Sequence, residues 1–162
     1  MTLQVGQTVP QVTLKIINDG SIQDISYDEI FKNKTVALFA VPGAFTPTCN
    51  NIHFPSFAAV AEELTHKGVD QIYCLAVNDP FVLEAWKKSS GINDEITMLS
   101  DGNCDFTRQA GMDFDARGAG LGWRSKRYSL LAKDGIVTVL NVEGSPGECK
   151  ISDGRTLLNA LR

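Results

Sequence analysis

Thr35-Val36-Ala37-Leu38-Phe39-Ala40-Val41 is an unbroken apolar run. It predicts a strand buried on both faces, stopped by Pro42-Gly43. A helix is predicted to begin near Thr48, because Phe57, Val60, Ala61 and Leu64 recur at the spacing of one helical face and Gly68 suits its end. Pro55 inside that helix has no backbone N–H, so a kink that frees the Asn51 carbonyl is expected. A second buried strand is predicted over Ile72-Tyr73-Cys74-Leu75-Ala76-Val77. Asp79 then reads as the N-cap, and Pro80 as the first residue, of a helix that carries Val82, Leu83 and Trp86. Further on, 96–99 suits a strand and 104–110 a short helix. Apolar segments at 128–132 and 136–142 flank Lys133-Asp134-Gly135 as in a hairpin, and 156–161 gives a last helix. A small additional hairpin is expected near the N-terminus, turning at Asp19-Gly20.

The order is therefore hairpin, βαβαβ, hairpin, helix. It predicts an α/β protein with a central mixed sheet flanked by helices. No repeat, low-complexity tract or linker interrupts it, so residues 1–162 read as one domain. Composition agrees: 43% hydrophobic and 21% charged residues exclude a disordered chain. A net charge of −4 lacks the electrostatic footprint of a nucleic-acid binder. No apolar run reaches membrane-helix length, and Met1-Thr2-Leu3-Gln4-Val5 does not resemble a signal peptide. A cytoplasmic location follows as the expectation. In that reducing compartment Cys49, Cys74, Cys104 and Cys149 are not expected to be a static disulfide framework, and with two histidines no metal site is expected.

The candidate chemistry lies in Pro42-Gly43-Ala44-Phe45-Thr46-Pro47-Thr48-Cys49, which joins a buried strand to a helix. Ligands of open α/β sheets bind beyond the C-terminal strand ends, where this loop falls. Cys49 in the first helical turn meets free N–H groups and the positive end of the dipole, which favour a thiolate nucleophile. Thr46 supplies a hydroxyl for the sulfur or a substrate oxygen, and Pro42 can shield the sulfur from water. A cation is expected from Trp123-Arg124-Ser125-Lys126-Arg127, just before the 128–132 strand. Arg124 is the first choice, with Arg117 and Arg127 as alternatives. His53 reads as packing beside the site, with general base as its other reading. The Gly118-x-Gly120-x-Gly122 run reads as a flexible loop, since no helix opens behind it.

Pro42-x-x-x-Thr46-x-x-Cys49 with a distant Arg124 resembles the peroxiredoxins. The strings Val41-Pro42-Gly43-Ala44-Phe45-Thr46-Pro47-Thr48-Cys49, His53-Phe54-Pro55, Ala76-Val77-Asn78-Asp79-Pro80-Phe81 and Arg124-Ser125-Lys126-Arg127-Tyr128-Ser129 are similar to the type II (Prx5, AhpC/TSA-like) subfamily. The resemblance implies a thioredoxin-like fold with an extra N-terminal hairpin. It also implies reduction of hydrogen peroxide and small alkyl hydroperoxides by a thiol, without haem, flavin, metal or other cofactor. Carried over by motif, Cys49 is the peroxidatic cysteine, Thr46 and Arg124 hold the peroxide, and Pro42 shields the site. Oxidation would give a Cys49 sulfenic acid, which a second thiol resolves.

Cys149, in the polar turn Gly144-Ser145-Pro146-Gly147-Glu148-Cys149, is the possible resolving thiol, expected to be mobile and exposed. Members lacking such a thiol are regenerated by glutaredoxin, glutathione or thioredoxin, and the subfamily usually forms homodimers. Cys74 reads as a buried small hydrophobe and Cys104 as an incidental thiol. Two rival readings stand beside the peroxidase. A thioredoxin-like oxidoreductase is opposed by the lack of CxxC. The other is a non-enzymatic redox sensor or holdase switched by Cys49 oxidation.

Overall fold

A computed structural model describes residues 1–92 and 94–161. The elements run β1 (Leu14–Asn18), β2 (Ser21–Ile25), α1 (Tyr27–Phe31) and β3 (Thr35–Val41), then a π-helical turn (Cys49–His53) that leads into α2 (Phe54–His66). They continue with β4 (Gln71–Ala76), α3 (Pro80–Ser90), β5 (Ile96–Ser100), α4 (Asp105–Gln109) and β6 (Asp113–Asp115). A 3-10 turn (Arg117–Ala119) precedes β7 (Trp123–Ser125), β8 (Tyr128–Lys133), β9 (Ile136–Val142) and α5 (Gly154–Asn159).

Seven strands form one mixed sheet in the order β2-β1-β5-β4-β3-β8-β9. β3 pairs parallel with β4 and antiparallel with β8, and both N- and C-terminal hairpins are present. The hairpin turns place Asp19 and Asp134 at φ 50°, each followed by a glycine at positive φ, as a two-residue turn of right-handed strands requires.

Strand alternation sends side chains to two cores. Val36, Leu38 and Ala40 of β3, with Tyr73, Leu75, Tyr128 and Leu130, pack under α1 and α4. Ala37, Phe39 and Val41, with Ile72, Cys74, Ala76 and Leu131, pack under α2, α3 and α5. Cys49 belongs to this second core.

The predicted limits of β3 hold, and Asp79 and Pro80 stand as N-cap and first residue of α3. Gly68 ends α2 with bonds from Gly68 N–H to the Thr65 carbonyl and from Val69 N–H to the Leu64 carbonyl, the paired closure that satisfies the last carbonyls. The expected disturbance at Pro55 takes the form of a wider turn. Because Pro55 cannot donate, the preceding N–H of Phe54 reaches five residues back to the Cys49 carbonyl. Two features lie outside the sequence-based expectation. α1 is announced by a Ser26–Glu29 capping box. The glycine-rich run links β6 to β7 in a separate two-stranded ribbon.

Candidate active site

Cys49 opens the π-helical turn at the C-terminal end of β3, and its side chain is fully buried. The loop that delivers it is fastened from several sides. Asn78 Oδ1 accepts the Ala44 N–H at 2.9 Å, and the Thr46 hydroxyl donates to the Gly43 carbonyl at 2.7 Å. The Asn50 N–H bonds the Thr46 carbonyl at 2.8 Å, so the turn closes directly behind Thr46. Phe45 is held at φ 64°, a strained conformation for a bulky residue that this bracing maintains. Pro42 is buried beside it.

The guanidinium on the sulfur belongs to Arg127. Its Nη2 donates to Cys49 Sγ at 3.1 Å, its Nη1 to His53 Nδ1 at 2.9 Å and its Nε to the Pro146 carbonyl at 3.1 Å. The expected placement of Arg124 on the sulfur is corrected. Its Nη1 donates to the Pro42 carbonyl at 3.1 Å and its Nε to the Leu121 carbonyl at 2.7 Å. It packs so tightly over Gly43 that a side chain there would collide with Nη1. The physical reason is strand alternation. β8 pairs Tyr128 with Ala40, and both face the α1/α4 core. One residue earlier, Arg127 falls on the opposite face, with Val41 and Cys49. Stepping that alternation back one residue from Tyr128 is the signal that points Arg127 at the sulfur. Arg117 is solvent-exposed and paired with Asp115.

His53 is more than packing. It is fully buried, tilted against Phe39 and Phe57, and its Nε2 lies 2.9 Å from the Ser152 carbonyl. A carbonyl only accepts, so Nε2 carries the proton and Nδ1 offers its lone pair to Arg127. Burial, then the Arg127 charge, lowers the imidazole pKa to about 3. His53 is therefore neutral at ordinary pH and leaves the full Arg127 charge for the sulfur.

The other thiols lack such a partner. Burial, followed by the nearby Cys49, pushes the Cys74 thiol well up, and burial likewise raises Cys104 and Cys149. Cys149 is half-buried rather than exposed, and its Sγ lies 3.9 Å from Ser152 Oγ. Its loop is tied to the site. The Gly147 carbonyl accepts from the Thr48 hydroxyl at 2.9 Å, and the Pro146 carbonyl accepts from Arg127. All four cysteines are free thiols in this structure. Among the described residues no His/Cys/Asp/Glu cluster is placed to hold a metal, and no helix is long and apolar enough to cross a membrane.

A groove of about 490 Å³ opens over the site. Pro42, Thr46, Pro47, Phe114, Leu121 and Arg127 are among the residues that line it. Its mostly apolar wall suits a small molecule with a carbon tail and one polar end aimed at Thr46 and Arg127.

Comparison with known proteins agrees with this geometry. Residues 4–158 match the Redoxin family model. Peroxiredoxin-2E of Arabidopsis thaliana, a chloroplastic protein, is 46% identical over 164 residues, covering 99% of this chain and 70% of the relative. The crystal structure of reduced Prx3 from Vibrio vulnificus in complex with H2O2 superposes with a TM-score of 0.93 at 42% identity, covering 99% of this chain and 100% of that one. Peroxiredoxin 5 from Alvinella pompejana gives 0.87 at 30% identity, covering 98% and 97%. A strand-end thiol under a guanidinium, on this sheet and with these relatives, makes the chain a member of the redoxin family and, within it, a thiol peroxidase of the type II (Prx5-like) peroxiredoxins with a thioredoxin-like fold.

Proposed function

We propose that Cys49 is the thiol that reduces the peroxide and that Arg127 is the cation that activates it. The observation that carries this reading is the 3.1 Å bond from Arg127 Nη2 to Cys49 Sγ, a charge-assisted contact that favours negative sulfur. The Thr46 hydroxyl spends its proton on Gly43, so its lone pairs are free to accept the O–H of a bound hydroperoxide. The sulfur attacks that oxygen. An S–O bond forms as the O–O bond breaks, the sulfur gives up two electrons, and Cys49 becomes a sulfenic acid. The second oxygen leaves as an alkoxide and takes a proton from water. Arg127 and the Cys49 backbone N–H stabilise the charge that develops there. Pro42 keeps bulk water off the sulfur. Arg124 clamps the Pro42–Gly43 turn and does not touch the peroxide.

Hydrogen peroxide and small alkyl hydroperoxides are the substrates of this reading, since the sulfur is fully buried and the groove beside Thr46 and Arg127 is mostly apolar. A thiol reductant restores Cys49, with glutaredoxin or thioredoxin as the donor, and Cys149 is the candidate to condense first with the sulfenic acid. Cys149 lies within electrostatic range of Arg127, the residue that also holds Cys49. A homodimer, a cytoplasmic location and a single domain complete this reading. Exposed Phe45, beside Thr46 in the active-site loop, and exposed Phe81, at the start of α3, supply apolar surface for a second copy.

Stopped-flow peroxide reduction tests it. Cys49→Ser is expected to abolish turnover, and Arg127→Gln to lower the second-order rate about 100-fold or more, the usual cost of one transition-state donor. Either variant running at the parent rate overturns the assignment. Mass spectrometry after one equivalent of peroxide decides the resolving step: a Cys49–Cys149 bridge is expected, and a sulfenic acid that persists in the parent excludes Cys149.

A further inference from the structure

The segment between β9 and α5 has no regular structure, yet it supplies three carbonyls to the site. Pro146 takes Arg127 Nε, Gly147 takes the Thr48 hydroxyl, and Ser152 takes His53 Nε2–H. The part of it that ends at Ser152 is pinned by one carboxylate oxygen. Glu143 Oε2 accepts the successive N–H groups of Lys150, Ile151 and Ser152 at 3.0, 2.9 and 2.6 Å. Three adjacent amides converging on one anion form a backbone nest whose anion is the chain's own side chain. Glu143 is itself buried, at 8% exposure, and its N–H bonds the Arg127 carbonyl at 3.0 Å. Burial raises its pKa, but the bonds from Ser152, Lys150 and Ile151 outweigh that and hold the carboxyl below its usual range.

We propose that Glu143 is a positioning residue for the peroxidase reaction: its carboxylate aims the Ser152 carbonyl at His53, which fixes the imidazole tautomer that holds Arg127 on Cys49. The proposal rests on the Cys49–Arg127 reading. Each link is directional. If the Ser152 carbonyl turns away, nothing on that side demands a proton on Nε2. The imidazole is then free to carry its proton on Nδ1, where it faces the Nη1 donor and can no longer accept from it. The guanidinium loses one of its three anchors and leaves the sulfur part of the time.

The experiment compares Glu143→Ala, Glu143→Gln, His53→Gln and the Glu143→Ala/His53→Gln double variant. The readouts are stopped-flow peroxide reduction, the pH profile of Cys49 alkylation, and the 15N shifts of the His53 ring. Glu143→Ala is expected to slow peroxide reduction about 10- to 100-fold, the loss of one charge-assisted hydrogen bond. It is also expected to move the alkylation profile to higher pH and to replace the single Nε2–H signature with a mixture. Glu143→Gln keeps an acceptor oxygen and is expected to recover most of the rate. The double variant is expected to be no slower than the slower single one, because both act along one path.

The proposal is overturned if Glu143→Ala keeps the Nε2–H tautomer, if its effect multiplies with that of His53→Gln, or if it runs at the parent rate. Should Glu143→Ala fail to fold, the same readouts on Glu143→Gln decide: an unperturbed tautomer with a slowed rate sinks the proposal. Arg127→Gln run in parallel separates the two levels. A normal rate there overturns the underlying reading, whereas a slow Arg127→Gln beside an unaffected Glu143→Ala overturns only this inference.

Discussion

Arg124 and Arg127 are three residues apart and do different work. Arg127 grips the sulfur, and Arg124 braces the Pro42–Gly43 turn. Replacing Arg124 with Gln should lower peroxide turnover less than 10-fold, since it removes a brace on the neutral Pro42 carbonyl rather than a donor to the reacting atoms. Stopped-flow comparison with Arg127→Gln checks this, and equal losses would place both guanidinia on the substrate. Cys49, Thr46 and Pro42 were legible as a strand-end constellation because their chemistry is local to one loop. The arginine was harder. The basic run offers two guanidinia and Arg117 a third, and only the sheet register, fixed by pairing of β3 with β8, turns Arg127 toward the face that holds the sulfur. The contacts of Glu143 were not legible in the sequence, since they depend on a segment that returns to it seven to nine residues later.

Elements were legible where one local rule dominated. The apolar run of β3, the Asp79-Pro80 start of α3 and the Asp134-Gly135 hairpin turn each carry their own signal. The π-helical turn does not. Pro55 announced a disturbance, but whether the backbone kinks or widens depends on what surrounds it, and here Phe39, His53 and Phe57 pack beneath. Close contact between α2 and α5 is set by a missing side chain. A Cβ on Gly154 would meet the Ser56 carbonyl at 2.5 Å and the Val60 side chain at 2.8 Å. Gly154→Ala should therefore destabilise the protein by about 1–3 kcal/mol, as overpacking does. A lower midpoint in urea with an unchanged slope is the expected result.

For the molecule as a whole, a neutral buried histidine sets a pH limit. His53 titrates near 6.5 when unfolded and at about 3 when folded. Between those values the unfolded chain binds the extra proton. Stability is thus intact above about pH 6.5 and falls as pH drops toward 3, by on the order of 5 kcal/mol in full. Denaturant titrations from pH 7 to pH 4 should show this slope in the parent and lose it in His53→Gln. An identical slope in both would mean that His53 is protonated in the native protein. The site also joins distant stretches of chain, since the sulfur and its guanidinium stand 78 positions apart. A ribosome that has released only the first hundred residues has made an ordinary thiol. Reactivity toward oxidants arises when β8 docks against β3, so the onset of peroxide consumption during refolding clocks the closure of the sheet.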